Sequence, residues 1–187
     1  MRQAQKEKKN ELWEWSKALL IAFGLAAIIR LFLFTPIIVD GESMMPTLEN
    51  GDSMLVNKIG YIVGEPKRFD IVVFHAPEQK NYIKRVIGLP GDHVEYKNDQ
   101  LYINGKEVSE PYLDQYKDDI TEGTLTDDFT LESITGDKEI PEGYVFVMGD
   151  NRRYSKDSRM IGLIEIDEII GKTNFVFWPI GEVGFVK

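Results

Sequence analysis

The chain has 187 residues, no cysteine, two histidines and a formal net charge of −9. Such a length buries roughly two thirds of the unfolded surface in one domain or two small lobes, without disulfide staples. The absence of cysteine excludes disulfide scaffolds, thiolate zinc sites and a cysteine nucleophile, and two histidines argue against a His-rich metal site.

The charge is uneven. Arg2, Lys6, Lys8, Lys9, Lys17 and Arg30 face Glu7, Glu11 and Glu14 within the first 35 residues, a net +3, so the other 152 carry −12. An acidic globular part argues against a nucleic-acid partner, whose phosphates require a basic face.

Ala18 to Phe34 is a 17-residue apolar run interrupted only by Arg30, at the short end of the range for a membrane-spanning helix. Arg30 can snorkel to the headgroups, and Ile37 to Val39 can extend the apolar length. Trp13 and Trp15 stand where interfacial aromatics are expected, and the basic flank favours an N-terminus inside the cell. A cleavable signal peptide needs small-x-small residues after the run, which RLFLFTPIIVDGE lacks. A core helix would be amphipathic, and this run is apolar on all sides. The pattern therefore predicts a cytoplasmic segment over 1–17, a retained single-pass anchor in the cell membrane over 18–34, and an extracytoplasmic domain over 36–187. The lipid bilayer is the first partner implied.

Beyond Pro36 the pattern changes to short strands between turn residues. Strands are expected at Asp52–Lys58, Ile71–Phe74, Tyr82–Leu89, His93–Tyr96, Gln100–Ile103, Lys106–Val108, Tyr144–Met148 and Asn174–Trp178. Pro90-Gly91-Asp92 marks a turn, and Asn104-Gly105 a hairpin. The fold class expected is mostly β: an N-terminal transmembrane helix followed by an antiparallel β catalytic domain. Residues 110–139 hold ten carboxylates against Lys117 and Lys138, which reads as a small inserted acidic lobe or loop with a solvated face. FVFWPI near the C-terminus reads as a core strand, with contact between Trp178 and lipid as the alternative.

Chemistry concentrates in three stretches. Gly41-Glu-Ser43-Met44-Met-Pro46-Thr47 is a compact serine turn just after the apolar run. A serine hydroxyl is a poor nucleophile without a base within hydrogen-bond reach. His75 and His93 both read as ordinary surface or turn histidines. Lys84 lies inside an apolar strand beside Arg85, and alternation along a strand turns one of these two cations inward. Burial lowers a lysine pKa and supplies the neutral amine that a general base requires. On the strand alone, a Lys84 that snorkels from an exposed edge is the stronger reading. The third stretch, Gly149 to Arg159, is dense in polar groups. Asp157 and Arg159 can pair, and the Ser155 and Ser158 hydroxyls can orient an amine; taken alone it reads as a structural loop.

Together the three stretches resemble type I bacterial signal peptidase of serine protease family S26, in its Gram-positive form. The matching pieces are Ser43-Met44-x-Pro46-Thr47, then Lys84-Arg85-x-x-Gly88-x-Pro90-Gly91-Asp92, then Gly149-Asp150-Asn151-Arg152 with Ser155-x-Asp157-Ser158-Arg159. The resemblance implies a membrane-anchored serine endopeptidase that removes signal peptides from exported preproteins after small-x-small sites, typically Ala-x-Ala, with no metal or organic cofactor. It implies Ser43 as nucleophile and Lys84 as general base, with Ser155 hydrogen-bonded to the lysine amine. Asp157 and Arg159 would form a supporting salt bridge, and Asp150 and Arg152 would hold the loop. Gly41 stands where some members place an oxyanion-hole serine, so the hole would rest on backbone N–H groups of Ser43 and the Gly41 region. Val39, Met44, Leu48, Tyr82 and Ile83 would line the small S1 pocket.

A self-cleaving Ser–Lys repressor would need a DNA-binding domain in place of the anchor. A penicillin-binding enzyme would need Ser-x-x-Lys at the nucleophile, which Ser43-Met-Met-Pro lacks. A catalytically silent binding module is opposed by the joint presence of Ser43 and Lys84.

Overall fold

The computed structural model describes residues 2–58, 64–77, 80–118 and 120–186. It begins with a helix, α1 (Arg2–Phe32), which at 1.5 Å per residue is about 46 Å long. Leu19, Leu20, Ile21, Phe23 and Leu25 are all exposed along it, as are Trp13 and Trp15. The side chains of the basic flank Arg2 to Lys9, of Arg30 and of the last apolar turn lie outside the described residues. Among the described residues no helix is long and apolar enough to cross a membrane.

Twelve strands follow among the described residues: β1 (Phe34–Ile38), β2 (Ser53–Asn57), β3 (Ile71–Ala76), β4 (Lys80–Gly88), β5 (Val94–Lys97), β6 (Gln100–Ile103), β7 (Lys106–Val108), β8 (Phe129–Thr130), β9 (Tyr144–Met148), β10 (Ile164–Glu165), β11 (Ile169–Trp178) and β12 (Gly184–Phe185). A large antiparallel sheet runs β1-β2-β11-β3-β4-β9-β10, with β12 paired to β11, and a small one runs β7-β6-β5-β8. The mostly-β antiparallel architecture is as the strand pattern predicts. Ile37 and Ile38, expected to lengthen the anchor, instead belong to β1, paired with Met54 and Ser53 of β2. Pro36 is tolerated there because β1 is an edge strand, where a missing N–H breaks no ladder.

Two apolar clusters serve the large sheet. Val39, Met44, Leu48, Met54, Ile71 and Val176 form one, and Val72, Phe74, Val86, Val145 and Val147 the centre of the other. A third joins the sheets, with Ile87, Phe146 and Met148 packed on Val94, Tyr96, Leu101 and Leu131. Gly88 sits where a Cβ would meet the Ile140 Cδ1 at 2.4 Å, so only glycine lets β4 close on this core. At Asn104-Gly105 both residues have positive φ (51° and 73°), the backbone that a two-residue hairpin between β6 and β7 requires.

Residues 110–139 carry α2 (Asp114–Asp118), β8 and α3 (Leu131–Thr135), the last capped by Thr130. Their described carboxylates are exposed except Glu110, which is buried against Arg152. The solvated-face expectation is corrected at that one residue, because a buried guanidinium needs a counter-charge. The C-terminal FVFW segment is also not wholly core: Val176 is buried, whereas Phe177 and Trp178 are exposed.

Candidate active site

Between β1 and β2 the chain makes a loop closed at its neck by Val39 N–H donating to the Asp52 carbonyl (2.8 Å) and Gly51 N–H to the Val39 carbonyl (2.9 Å). Met44 and Leu48 anchor this loop in the core, which leaves Ser43 half-buried at the floor of a cleft of about 490 Å³. The opposite wall comes from Asn81 to Lys84 of β4.

Ser43 Oγ lies 2.7 Å from Lys84 Nζ. The lysine is 3 % exposed and donates a second hydrogen bond to the Ile83 carbonyl at 3.0 Å. Burial lowers its pKa from 10.5 to about 8, against the upward pull of the Asp157 and Asp150 carboxylates. That pull is limited because each carboxylate already has a guanidinium. Asp157 receives Arg159 Nε at 2.8 Å and Nη2 at 2.7 Å, and also the Gly149 N–H at 3.0 Å. Asp150 receives Arg85 Nε at 2.9 Å and Nη2 at 2.6 Å, together with Thr47 Oγ1 at 2.5 Å.

The expectation that one of Lys84 and Arg85 turns inward is exceeded, since both are buried. Arg85 lies on the Tyr112 ring, 3.9 Å from its centroid, and donates to the Phe69 carbonyl. Arg152 is likewise buried, bonded to Glu110, Tyr96 and Tyr112, and so ties the loop after β9 to the small sheet. Asp150 and Arg152 thus hold that loop from two sides.

Four expected roles differ in the structure. Ser155 Oγ is buried without a hydrogen-bond partner, so it is not bonded to the lysine amine, which is already engaged by Ser43 and Ile83. Ser155 packs against Gly149, where a Cβ would stand 2.2 Å from its Oγ and 2.3 Å from the Ser43 carbonyl oxygen. The Gly41 N–H donates to Asn50 Oδ1 at 2.9 Å and is not free for an oxyanion. Leu48 is fully buried and does not line the cleft, whereas Val39, Met44, Tyr82 and Ile83 do. The Ser158 hydroxyl accepts the Val147 N–H instead of orienting an amine. Among the described residues the Ser43 N–H has no partner and remains available as a donor.

Sequence reasoning missed Tyr154 and Lys156, which also line the cleft, and Asn151, which donates to the Glu42 and Ser43 carbonyls. The only signal for these was the polar density of the third stretch. The histidines stand elsewhere: His75 bonds Asn81 at the surface, and His93 bonds the Lys138 carbonyl.

Residues 12–178 match the family model described as signal peptidase, peptidase S26. The chain belongs to that family. It is 51 % identical over 181 residues, 97 % of each chain, to a signal peptidase I of Bacillus caldolyticus. A signal peptidase IB of Staphylococcus aureus is 46 % identical over 178 residues, 93 % of each chain. A crystal structure of a signal peptidase I from Enterococcus faecalis V583 is 44 % identical with a TM-score of 0.56, covering 59 % of this chain and 97 % of that one. As a family member the chain is a serine endopeptidase.

Proposed function

We propose that the enzyme cleaves signal peptides from exported preproteins through a Ser43/Lys84 dyad, after small-x-small sites such as Ala-x-Ala. The 2.7 Å contact between Ser43 Oγ and a buried Lys84 carries this reading. In the neutral form of Lys84 the hydroxyl donates to Nζ, and the amine accepts the proton as Oγ attacks the scissile carbonyl. The Ser43 N–H stabilises the oxyanion. The resulting ammonium returns its proton to the departing amine, and the acyl-enzyme remains. A water, deprotonated by the same amine, then releases the acid and restores the serine.

The substrate lies as an added strand in the cleft. Among the described residues, β4 from Asn81 to Lys84 pairs with β3 alone, since β9 joins it from Arg85 onward. Its outer edge and the 37–44 segment give an extended peptide backbone partners on both sides. Val39, Met44, Tyr82 and Ile83 leave room for small side chains.

Residues 18–34 act as a membrane anchor, with 1–17 cytoplasmic and 36–187 extracytoplasmic. The uncovered apolar side chains of α1 support this, because water would not leave such a stripe exposed. Exposed Ile38, Trp178, Ile180, Val183 and Phe185 support a bilayer surface near the cleft.

The test is cleavage of a preprotein with an Ala-x-Ala site, in detergent, by the parent, Ser43→Ala and Lys84→Ala proteins. Cleavage by the parent alone is expected. Turnover that survives either substitution in a folded protein rules out the dyad.

A further inference from the structure

Asn151 reaches the serine turn twice. Its N–H donates to the Ser43 carbonyl at 3.1 Å, and its side-chain Nδ2 donates at 3.0 Å to the Glu42 carbonyl, whose other donor is the Met45 N–H of the turn itself at 3.1 Å. The residue is 5 % exposed, and the loop is held by the Tyr154 N–H donating to the Asn151 carbonyl.

The Glu42 carbonyl and the Ser43 N–H are the two ends of one peptide unit. A peptide is planar, so fixing the oxygen fixes the direction of the N–H. A hydrogen bond to the oxygen also polarises the unit and strengthens its donor end. The orientation matters here because the Gly41 N–H is already spent on Asn50, whereas among the described residues the Ser43 N–H has no partner.

We infer that Asn151 is a positioning residue for the oxyanion hole: its side-chain amide holds the Glu42–Ser43 peptide with the Ser43 N–H aimed at the substrate carbonyl oxygen. The inference rests on the reading of Ser43 as nucleophile. The amide touches neither substrate nor reacting atoms and acts through the peptide alone.

The test compares the full-length parent with Asn151→Ala, and with the near-isosteric Asn151→Asp should the smaller residue not fold. For the folded variant kcat falls about ten- to a hundredfold, less than the 10²–10³ cost of deleting a donor outright. KM stays within about twofold, since the lost interaction forms only in the transition state. A peptide aldehyde, whose adduct with Ser43 places an oxygen in the hole, weakens in step with kcat, whereas the unreactive peptide amide of the same sequence binds as before. A kcat within twofold of the parent overturns the inference, as does an equal loss of affinity for aldehyde and amide. Ser43→Ala separates the two readings. Residual cleavage there removes the nucleophile assignment itself, whereas an inactive Ser43→Ala beside an unimpaired Asn151 variant removes only the positioning role.

Discussion

Lys84 and Arg85 are neighbours in one strand and both are buried, yet their charges are treated oppositely. Arg85 is bidentate to Asp150, whereas among the described residues Lys84 forms no ion pair and touches a serine hydroxyl and a carbonyl. A buried cation with a carboxylate stays charged, and one without sheds its proton more easily. The strand thus holds one cation paired with a carboxylate beside one whose pKa burial depresses.

Removing Arg85 leaves Asp150 as an uncompensated buried charge. Arg85→Met is expected to cost about 3–5 kcal/mol in denaturant unfolding, and Arg85→Met with Asp150→Asn less than that single change. Equal stability of the single variant and the parent would show that the pair carries no structural weight.

Lys84 has the opposite sign. Its folded pKa is depressed to about 8 from 10.5, so folding opposes protonation and the cost is fully present below about pH 8. It fades as pH rises from 8 to 10.5. Lys84→Met should therefore stabilise the protein by up to about 3 kcal/mol at pH 7, with the gain vanishing by about pH 10.5. Paired unfolding curves across pH read it directly, and a gain that grew with pH would reverse the sign.

Gly149→Ala places a Cβ 2.3 Å from the backbone oxygen of Ser43, which no rotamer change relieves. The loop must shift and carry Ser43 with it. A displacement of about 1 Å costs on the order of 10²-fold in kcat, and a second change of Ser155 to Gly should not restore it. Steady-state kinetics on the two variants check this, and full recovery in the double variant would locate the clash at Ser155 instead.

Leu48→Ala should cost about 2–5 kcal/mol through the cavity it leaves, without altering which residues are accepted before the cut. Met44 is the contrasting case, since it reaches both the core and the cleft. Unfolding and cleavage of substrates varied at those positions separate the two effects. Altered selectivity in the Leu48 variant would return that residue to the pocket.

Much of this was legible from local signals. Asn104-Gly105 announces its hairpin, and the strands 100–103, 106–108 and 144–148 lie where alternation puts them. β11 begins five residues earlier than its apolar end suggests, because Gly171 interrupts the pattern. A Cβ there would be 2.5 Å from the Asn57 carbonyl, so the glycine marks a close approach to β2 and not a break. β1 was hidden because its apolar residues run on from those of α1. The partners of Arg152 and Arg85 lie 42 and 65 residues away, and no local spacing reveals such pairs. For the same reason Glu110 reads as one more solvated acid, whereas the bond between Ser155 and the lysine is implied by the family resemblance.

The central claim is that neutral Lys84 activates Ser43, and the pH dependence of kcat/KM on an Ala-x-Ala substrate tests it most directly. The protonated amine is inactive, so activity should rise with pH on a single acid limb with an apparent pKa near 8. A limb near 6.5, where an ordinary histidine titrates, or a flat profile across this range, would contradict it.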